Sequence, residues 1–255
     1  MKFVHRLRHT MIKRHWKLTL ALWLALAANA NAGDLTVLAD SSSDMPYADV
    51  QADIIHGGLH WDLGRALAQN MNRTAKFLLL PRKRTTAALE TGKADLMCFY
   101  QPEWLPGAFD WSVGFIPNQD LLVTAQQAKR PANIAALAGQ PIGTVLGFSY
   151  PELSSALGDR FIRDEAPHNA SSLAKLGAGR MQHAVVSRAF LEYKTLTGEF
   201  TLPLHPYIVL TDQKSRCVVS RHGTVTVAQV NTAIEKLVAD GTMTRLFNRY
   251  RPAAK

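Results

Sequence analysis

Residues 81–100 read PRKRTTAALETGKADLMCFY, and this stretch decides the fold. Pro81 stops an apolar strand, Phe77–Leu80, because its fixed φ and missing N–H cannot continue a ladder. A short helix through Thr85–Glu90 follows, and Gly92 sits where a left-handed helix cap is needed. Ala94–Tyr100 is then an apolar run of strand length, which reads as a buried strand. Strand, helix, glycine turn and buried strand in that order argue for an α/β layered fold with a mainly parallel sheet.

The same grammar extends in both directions. Upstream, Leu35–Ala39 is a short apolar strand closed by the turn-rich run Asp40-Ser41-Ser42-Ser43-Asp44-Met45-Pro46. Gly57-Gly58 precedes a helix that places Leu59, Leu63, Ala66, Leu67 and Met71 on one face. Downstream of Leu121–Thr124, the polar stretch Gln126–Pro131 reads as a crossing, and the pattern restarts. Strand Pro141–Val145, the turn Gly147-Phe148-Ser149-Tyr150-Pro151, helix Ser171–Gly177 and strand Ala184–Val186 repeat the earlier order. Arg216–Ser220 is a last strand. Val230, Ala233, Ile234, Leu237 and Val238 line a helix that ends at Asp240-Gly241, before Met243, Leu246, Phe247 and Tyr250.

The ends and totals set the compartment. Residues 1–17 carry six cationic side chains and no acidic one; an apolar run, Leu18–Ala28, and Ala30-Asn31-Ala32 follow. This is the layout of a secretory signal peptide over residues 1–32, with cleavage expected between Ala32 and Gly33. The apolar run is shorter than the roughly 20 residues that span a bilayer. The chain has a net charge of +9, with 29 basic and 20 acidic residues. Removing the six leader cations leaves 23 basic residues against 20 acidic, a net of +3, too small an excess to point to nucleic acid or an anionic membrane. The expected compartment is the periplasm. Cys98 and Cys217 are therefore allowed to pair there. Both lie inside apolar runs, which favours two buried thiols over a bridge.

Four pieces resemble the family 3 bacterial extracellular solute-binding proteins: Gly58-x-x-x-Asp62; Leu89-Glu90-Thr91-Gly92-Lys93-Ala94-Asp95, which is similar to their "L-x-x-G-x-x-D" stretch; Leu137-x-Gly139 with Gly143 and Gly147; and the Asn231-to-Tyr250 tail. The resemblance spans residues 34–251. It implies a two-lobed, type II periplasmic-binding-protein-like fold with a hinge and an interlobe cleft. Lobe one would be residues 33–125 plus 213–255, and lobe two residues 126–212. It also implies a monomer that binds a small-molecule solute, with an ABC permease or a membrane sensor domain as partner, and no cofactor.

The resemblance also shows two departures. Amino-acid-binding members clamp the ligand carboxylate with an Arg after the lobe-one strand, where a planar guanidinium matches two oxygens. Here that stretch is Tyr100-Gln101-Pro102-Glu103-Trp104, and no Arg or Lys occurs between Lys93 and Lys129. The Asp that pairs with the ligand ammonium after the lobe-two strand is replaced by Arg188. A standard α-amino acid loses both anchors, so the expected ligand is another small polar or anionic solute. Arg82 and Arg188 are the candidate clamp for an anion, with solvated loop positions or an Arg188–Glu192 pair as the plain alternative.

Tyr47, Tyr100, Trp104, Phe148 and Tyr150 form a candidate aromatic wall, or ordinary core and rim packing. Ser149, after Gly147-Phe148, opens a helix whose free N–H groups suit an anion. Asp44 and Glu103 accept an amine, pair with Arg82, or simply cap and face solvent. Glu103 is also the proton donor in a second reading, a cleft enzyme resembling cyclohexadienyl dehydratases. A third reading is a degenerate module that docks to a sensor. No metal is expected: His56 and His60 stand four apart without a third ligand, and no P-loop, C-x-x-C or G-x-S-x-G occurs.

Overall fold

The computed structural model describes residues 33–251; the expected signal segment, residues 1–32, lies outside the described residues. Eleven strands and seven α-helices are described. In chain order they are β1 (Asp34–Asp40), β2 (Asp49–Gln51), β3 (Ile54–Gly57), α1 (Leu59–Asn70), β4 (Thr74–Leu80), α2 (Thr85–Glu90), β5 (Leu96–Tyr100), β6 (Asp110–Trp111), β7 (Ile116–Thr124), β8 (Pro141–Val145), α3 (Pro151–Leu157), β9 (Ile162–Ala166), α4 (Asn169–Gly177), β10 (His183–Ser187), α5 (Arg188–Leu196), β11 (Ile208–Val219), α6 (Val227–Ala239) and α7 (Thr242–Asn248).

The strands follow the order β4-β1-β5-β11-β7-β10-β8-β9, with β6 on β11 and β2-β3 as a separate pair. At one end β4, β1 and β5 are parallel; at the other β10, β8 and β9 are parallel. Two antiparallel strands join these halves. β11 pairs with β7 over Ile208–Ser215 and with β5 over Arg216–Val219. β7 in turn pairs with β10 over Asp120–Thr124. The result is two α/β lobes with β7 and β11 running between them.

Each lobe has its own apolar core. Leu35, Val37 and Leu96 of the first sheet pack with Leu59, Leu63 and Leu67 of α1 and with Val230, Ile234 and Leu237 of α6. The second core gathers Leu121, Val123, Leu173, Leu176, Ala184, Val186 and Phe190. α1 and α6 bury one stripe each, at helical spacing, against the sheet.

The 81–100 stretch performs two jobs at once. Gly92 has φ +71, and a Cβ there would stand 2.2 Å from the His222 carbonyl oxygen. Only glycine permits both the left-handed turn and that backbone approach. Three residues on, Asp95 is buried, and its carboxylate accepts from the Thr36 N–H at 2.7 Å, the Thr224 N–H at 2.5 Å and the Thr224 hydroxyl at 2.9 Å. Its own backbone donates to Thr36 O and accepts from Ser220 N. The turn before β5 therefore holds β1 and the chain leaving β11. A second tie joins two other sequence pieces: Asp62 of α1 accepts from Arg249 and from the Tyr250 hydroxyl, each at 2.9 Å.

One expectation is corrected. Cys98 and Cys217 are both buried, but they form a disulfide rather than two thiols. Antiparallel pairing of β5 and β11 puts Cys217 opposite Cys98, a juxtaposition set by register and not by local sequence. The long strand β11 also begins eight residues before the expected Arg216.

Two outcomes test this frame. The Asp95→Ala variant strands the Thr36 and Thr224 N–H groups away from water and is expected to cost about 3 kcal/mol or more, read by urea unfolding. The disulfide closes a 119-residue separation, so reduction is expected to remove about 4–5 kcal/mol on the chain-entropy model. That corresponds to a fall in Tm on the order of 10 °C, read by scanning fluorimetry with and without reductant.

Candidate functional site

The strand carboxyl ends of both lobes converge on one cavity of about 120 Å³, the position where open α/β sheets hold ligands. β1 delivers Asp40, and the turn after it delivers Ser42, Ser43, Asp44 and Tyr47. His60 comes from α1, Arg82 follows β4, and Phe99, Tyr100 and Trp104 come from the end of β5. β7 contributes Asn118 and Asp120. The opposite wall is Val145, Phe148, Ser149 and Tyr150 after β8, His168 and Asn169 before α4, and Val185, Val186 and Ser187 at the end of β10.

Seven sequence-derived candidates therefore meet in one place: Tyr47, Arg82, Tyr100, Trp104, Phe148, Ser149 and Tyr150. Arg82 donates to the Tyr100 hydroxyl at 3.0 Å, and its guanidinium lies 4.4 Å from the Phe148 ring centroid and 5.3 Å from that of Tyr100. The Tyr150 hydroxyl accepts from Val145 N at 2.9 Å, which locks the turn after β8. The Phe148 N–H donates to Val145 O, so that group is spent inside the turn rather than on the cavity.

Glu103 and Arg188 are not among the residues lining this cavity. Glu103 is exposed in the 3-10 turn Pro102–Trp104; it lacks the burial that a proton donor at neutral pH would need. Arg188 opens α5 and lines a neighbouring groove with Gln119, Glu192, Asp212 and Arg251, which shares Tyr47 and Asn118 with the cavity. It donates to Gln119 Oε1, to the Tyr207 hydroxyl at 2.6 Å and to Glu192 at 3.5 Å, and lies over the Tyr207 ring at 4.9 Å. Arg82 and Arg188 are thus not brought together.

Contacts already bridge the cleft. The Tyr47 hydroxyl donates to Ser187 Oγ at 2.9 Å. Asp44 accepts from Ala170 N at 3.3 Å and lies 3.4 Å from His168 Nδ1. Arg82 on Phe148 is a third, a half-buried cation–π contact worth about 1 kcal/mol. Phe99, with φ +68, is the one of four non-glycine positive-φ residues, among those described, that lines the cavity. It occupies the irregularity in β5–β11 pairing, where Tyr100 faces Arg216 and Cys98 faces Cys217. That bulge turns its ring to Tyr47 and His60, at centroid distances of 5.6 and 4.7 Å.

The polar groups that sequence reading missed are the informative ones. Asp40 is 5 % exposed; Oδ1 accepts from the Ser42 N–H and hydroxyl, while Oδ2 is buried without a partner. Asn118 Nδ2 and His60 Nδ1 are likewise buried and unpartnered. Burial holds His60 down to about 4, so the ring is neutral at pH 7. Burial, then the nearby Glu152 carboxylate, pushes Asp120 up to about 6 against the pull of Thr211. Burial also raises the Tyr47, Tyr100 and Tyr150 hydroxyls to about 12, which keeps them neutral donors. The one local signal for Asp40 and Asp120 is an acid abutting an apolar strand run. Many harmless surface acids share that signal.

The model of the family "bacterial extracellular solute-binding proteins, family 3" matches residues 35–253. No curated protein matches the sequence. Among solved structures, an ancestral arginine-binding protein bound to arginine superposes with TM-score 0.70 at 17% identity, covering 86% of this chain and 98% of that one. The ancestral amino acid-binding protein AncCDT-1, described as a precursor of cyclohexadienyl dehydratase, gives TM-score 0.70 at 17% identity, covering 86% and 96%. The Bordetella pertussis BvgS VFT2 domain, as a double mutant, gives TM-score 0.70 at 16% identity, covering 91% and 97%. At these identities the likeness is one of fold.

Asp120 makes a signed prediction. Its folded pKa is raised, so its favourable contribution is complete below the unfolded value near 4 and is lost as pH rises through about 6. His60 acts in the opposite sense over an overlapping window, and comparing wild type with one variant cancels it. Asp120→Asn is therefore expected to raise Tm by several degrees at pH 7 and by little at pH 4, read by scanning fluorimetry across pH.

Proposed function

This chain belongs to the family 3 bacterial extracellular solute-binding proteins, and we propose that it captures a small polar solute between its two lobes, outside the cytoplasm, and presents the closed form to a membrane partner. The observation that carries the reading is the cavity itself. Strand ends from both lobes line it, three contacts span it, and buried polar atoms inside it lack partners. Groups left unpaired in a low-dielectric site are costly unless a ligand completes them.

The mechanism follows from the two joining strands. β11 pairs with strands of both halves and β7 runs from Ile116 in the first core to Leu121 in the second, so rotation about their crossings, near residues 117–120 and 211–215, opens the cleft without breaking either core. The division into lobe one, 33–125 plus 213–255, and lobe two between is part of this proposal. A solute that contacts both walls binds the closed form better and shifts the population toward it. The closed form is what an ABC permease or a sensor domain reads. A periplasmic location, delivered by the 1–32 leader, belongs to the same proposal.

The ligand departs from an α-amino acid, because the cavity holds neither an arginine beyond the β5 end nor an acid at position 188. Chemistry in the cleft is not part of the reading: Glu103, the nominated acid, is exposed.

Isothermal titration of the 33–255 chain with classes of small solute is the test, paired with small-angle scattering. A solute that binds is expected to raise stability by about 2.7 kcal/mol at 100 times its Kd and to reduce the radius of gyration. Tyr47→Phe is expected to weaken binding several-fold by loosening the latch on Ser187. Saturation by no small solute of any class overturns the reading.

A further inference from the structure

We propose that the solute is a protonated amine without a carboxylate, seated with its ammonium on Asp40, with Asp120 of the same cavity lining adding negative charge, and its body against the aromatic wall. This rests on the solute-capture reading and deepens it by assigning charge and chemistry to the ligand.

The charge balance of the cavity is the first support. Three carboxylates line it, from Asp40, Asp44 and Asp120, against one guanidinium, from Arg82. Asp44 is matched by His168 and Ala170. Neither Asp40 nor Asp120 has a cation within ion-pair distance among the described residues. Arg82 can balance only one of them at longer range, and its guanidinium is already engaged by Tyr100 and Phe148. At least one negative charge remains to be met, and the Glu152 carboxylate adds to the field on Asp120. A carboxylate ligand would add to it, and an ammonium would cancel it.

The second support is the orphaned oxygen. Asp40 Oδ2 is shielded from water in a residue only 5 % exposed, and no donor reaches it. A buried carboxylate oxygen wants an N–H or O–H donor, and a charged donor makes the stronger bond. The mirror group is Asn118 Nδ2, a buried donor without an acceptor, which a hydroxyl or carbonyl on the ligand completes. The rings of Tyr47, Phe99, Tyr100 and Tyr150 bring faces and edges into the same space, and such faces hold alkylammonium groups by cation–π attraction. Size narrows the class. The cavity of about 120 Å³ is on the order of one that admits benzene, so the fit is about six to eight non-hydrogen atoms.

Calorimetry on the 33–255 chain with matched probes decides it. Ethanolamine, serine and glycolate differ by the presence of an amine, both groups or an acid; tyramine with tyrosine repeats the contrast at larger size. At least one amine is expected to bind, and at least about tenfold more tightly than its carboxylate-bearing partner. Asp40→Asn, which retains the Oδ1 acceptor for Ser42, is expected to weaken amine binding about 30-fold or more, as loss of one partner of a buried charge pair does. Asp120→Asn is expected to weaken it while raising Tm at pH 7, which separates a lost contact from a damaged fold. Arg82→Gln is expected to leave amine affinity equal or tighter. Preference for the carboxylate-bearing probes, abolished by Arg82→Gln and untouched by Asp40→Asn, overturns the amine assignment but keeps solute capture. Amine binding unmoved by both aspartate variants overturns the assigned seat. Saturation by no probe, and by no solute of the broader panel, overturns solute capture with it.

Discussion

The Asp95 carboxylate is the interaction on which the described fold depends. It is buried, carries a charge into the first lobe and satisfies it with two backbone N–H groups and a hydroxyl. Those donors belong to segments far apart in the chain, the start of β1 and the turn after β11. A carboxylate so placed is affordable only if every donor arrives, so it specifies the order β1-β5-β11 and rejects alternatives that leave it dry. Gly92 makes the same demand sterically, because the His222 carbonyl packs where a side chain would begin. The disulfide then closes the β5–β11 pair a few residues on. Together they fix the base from which β7 and β11 run out to the second lobe.

The cavity shows the opposite economy. Asp95 has its donors, whereas Asp40 Oδ2, Asn118 Nδ2 and His60 Nδ1 lack partners. Asp120 is held at a raised pKa by burial and by Glu152. Three of the seven buried side-chain atoms without a partner among the described residues belong to this cavity; the other four, on Gln101, Thr144, Ser172 and Arg251, belong to residues that do not line it. Phe99 takes a left-handed φ at the cleft edge of β5, while Ala52, Asp53 and Asn72 do so outside the cavity lining.

The sequence carried the fold well and the site only in part. Periodicity placed β1, α1, β5, β8, β10 and the two closing helices because each buries a local apolar pattern. The aromatic candidates Tyr47, Tyr100, Trp104, Phe148 and Tyr150 were legible because strand ends face the cleft in this architecture. Arg188 follows β10 close to the cleft, yet Gln119 and Tyr207 hold its guanidinium in the neighbouring groove. Glu103 likewise sits beside the cleft in sequence but on a turn open to solvent. The absence of an arginine beyond β5 was readable as an absence; what replaces it was not.

By itself, the sequence determined the α/β class, the leader-like N-terminus, the lack of an arginine just beyond β5 and of an acid at position 188, and the turn at Gly92–Asp95. Each is local, written in residue type, spacing and the need of a short segment to bury one face. Only the tertiary structure decided that Cys98 faces Cys217, that Arg188 lines the neighbouring groove, and that, among the described residues, no cation stands within ion-pair distance of Asp40 or Asp120. Those facts depend on strand register and on which long-range neighbours exclude water from a charge, and no local pattern encodes either.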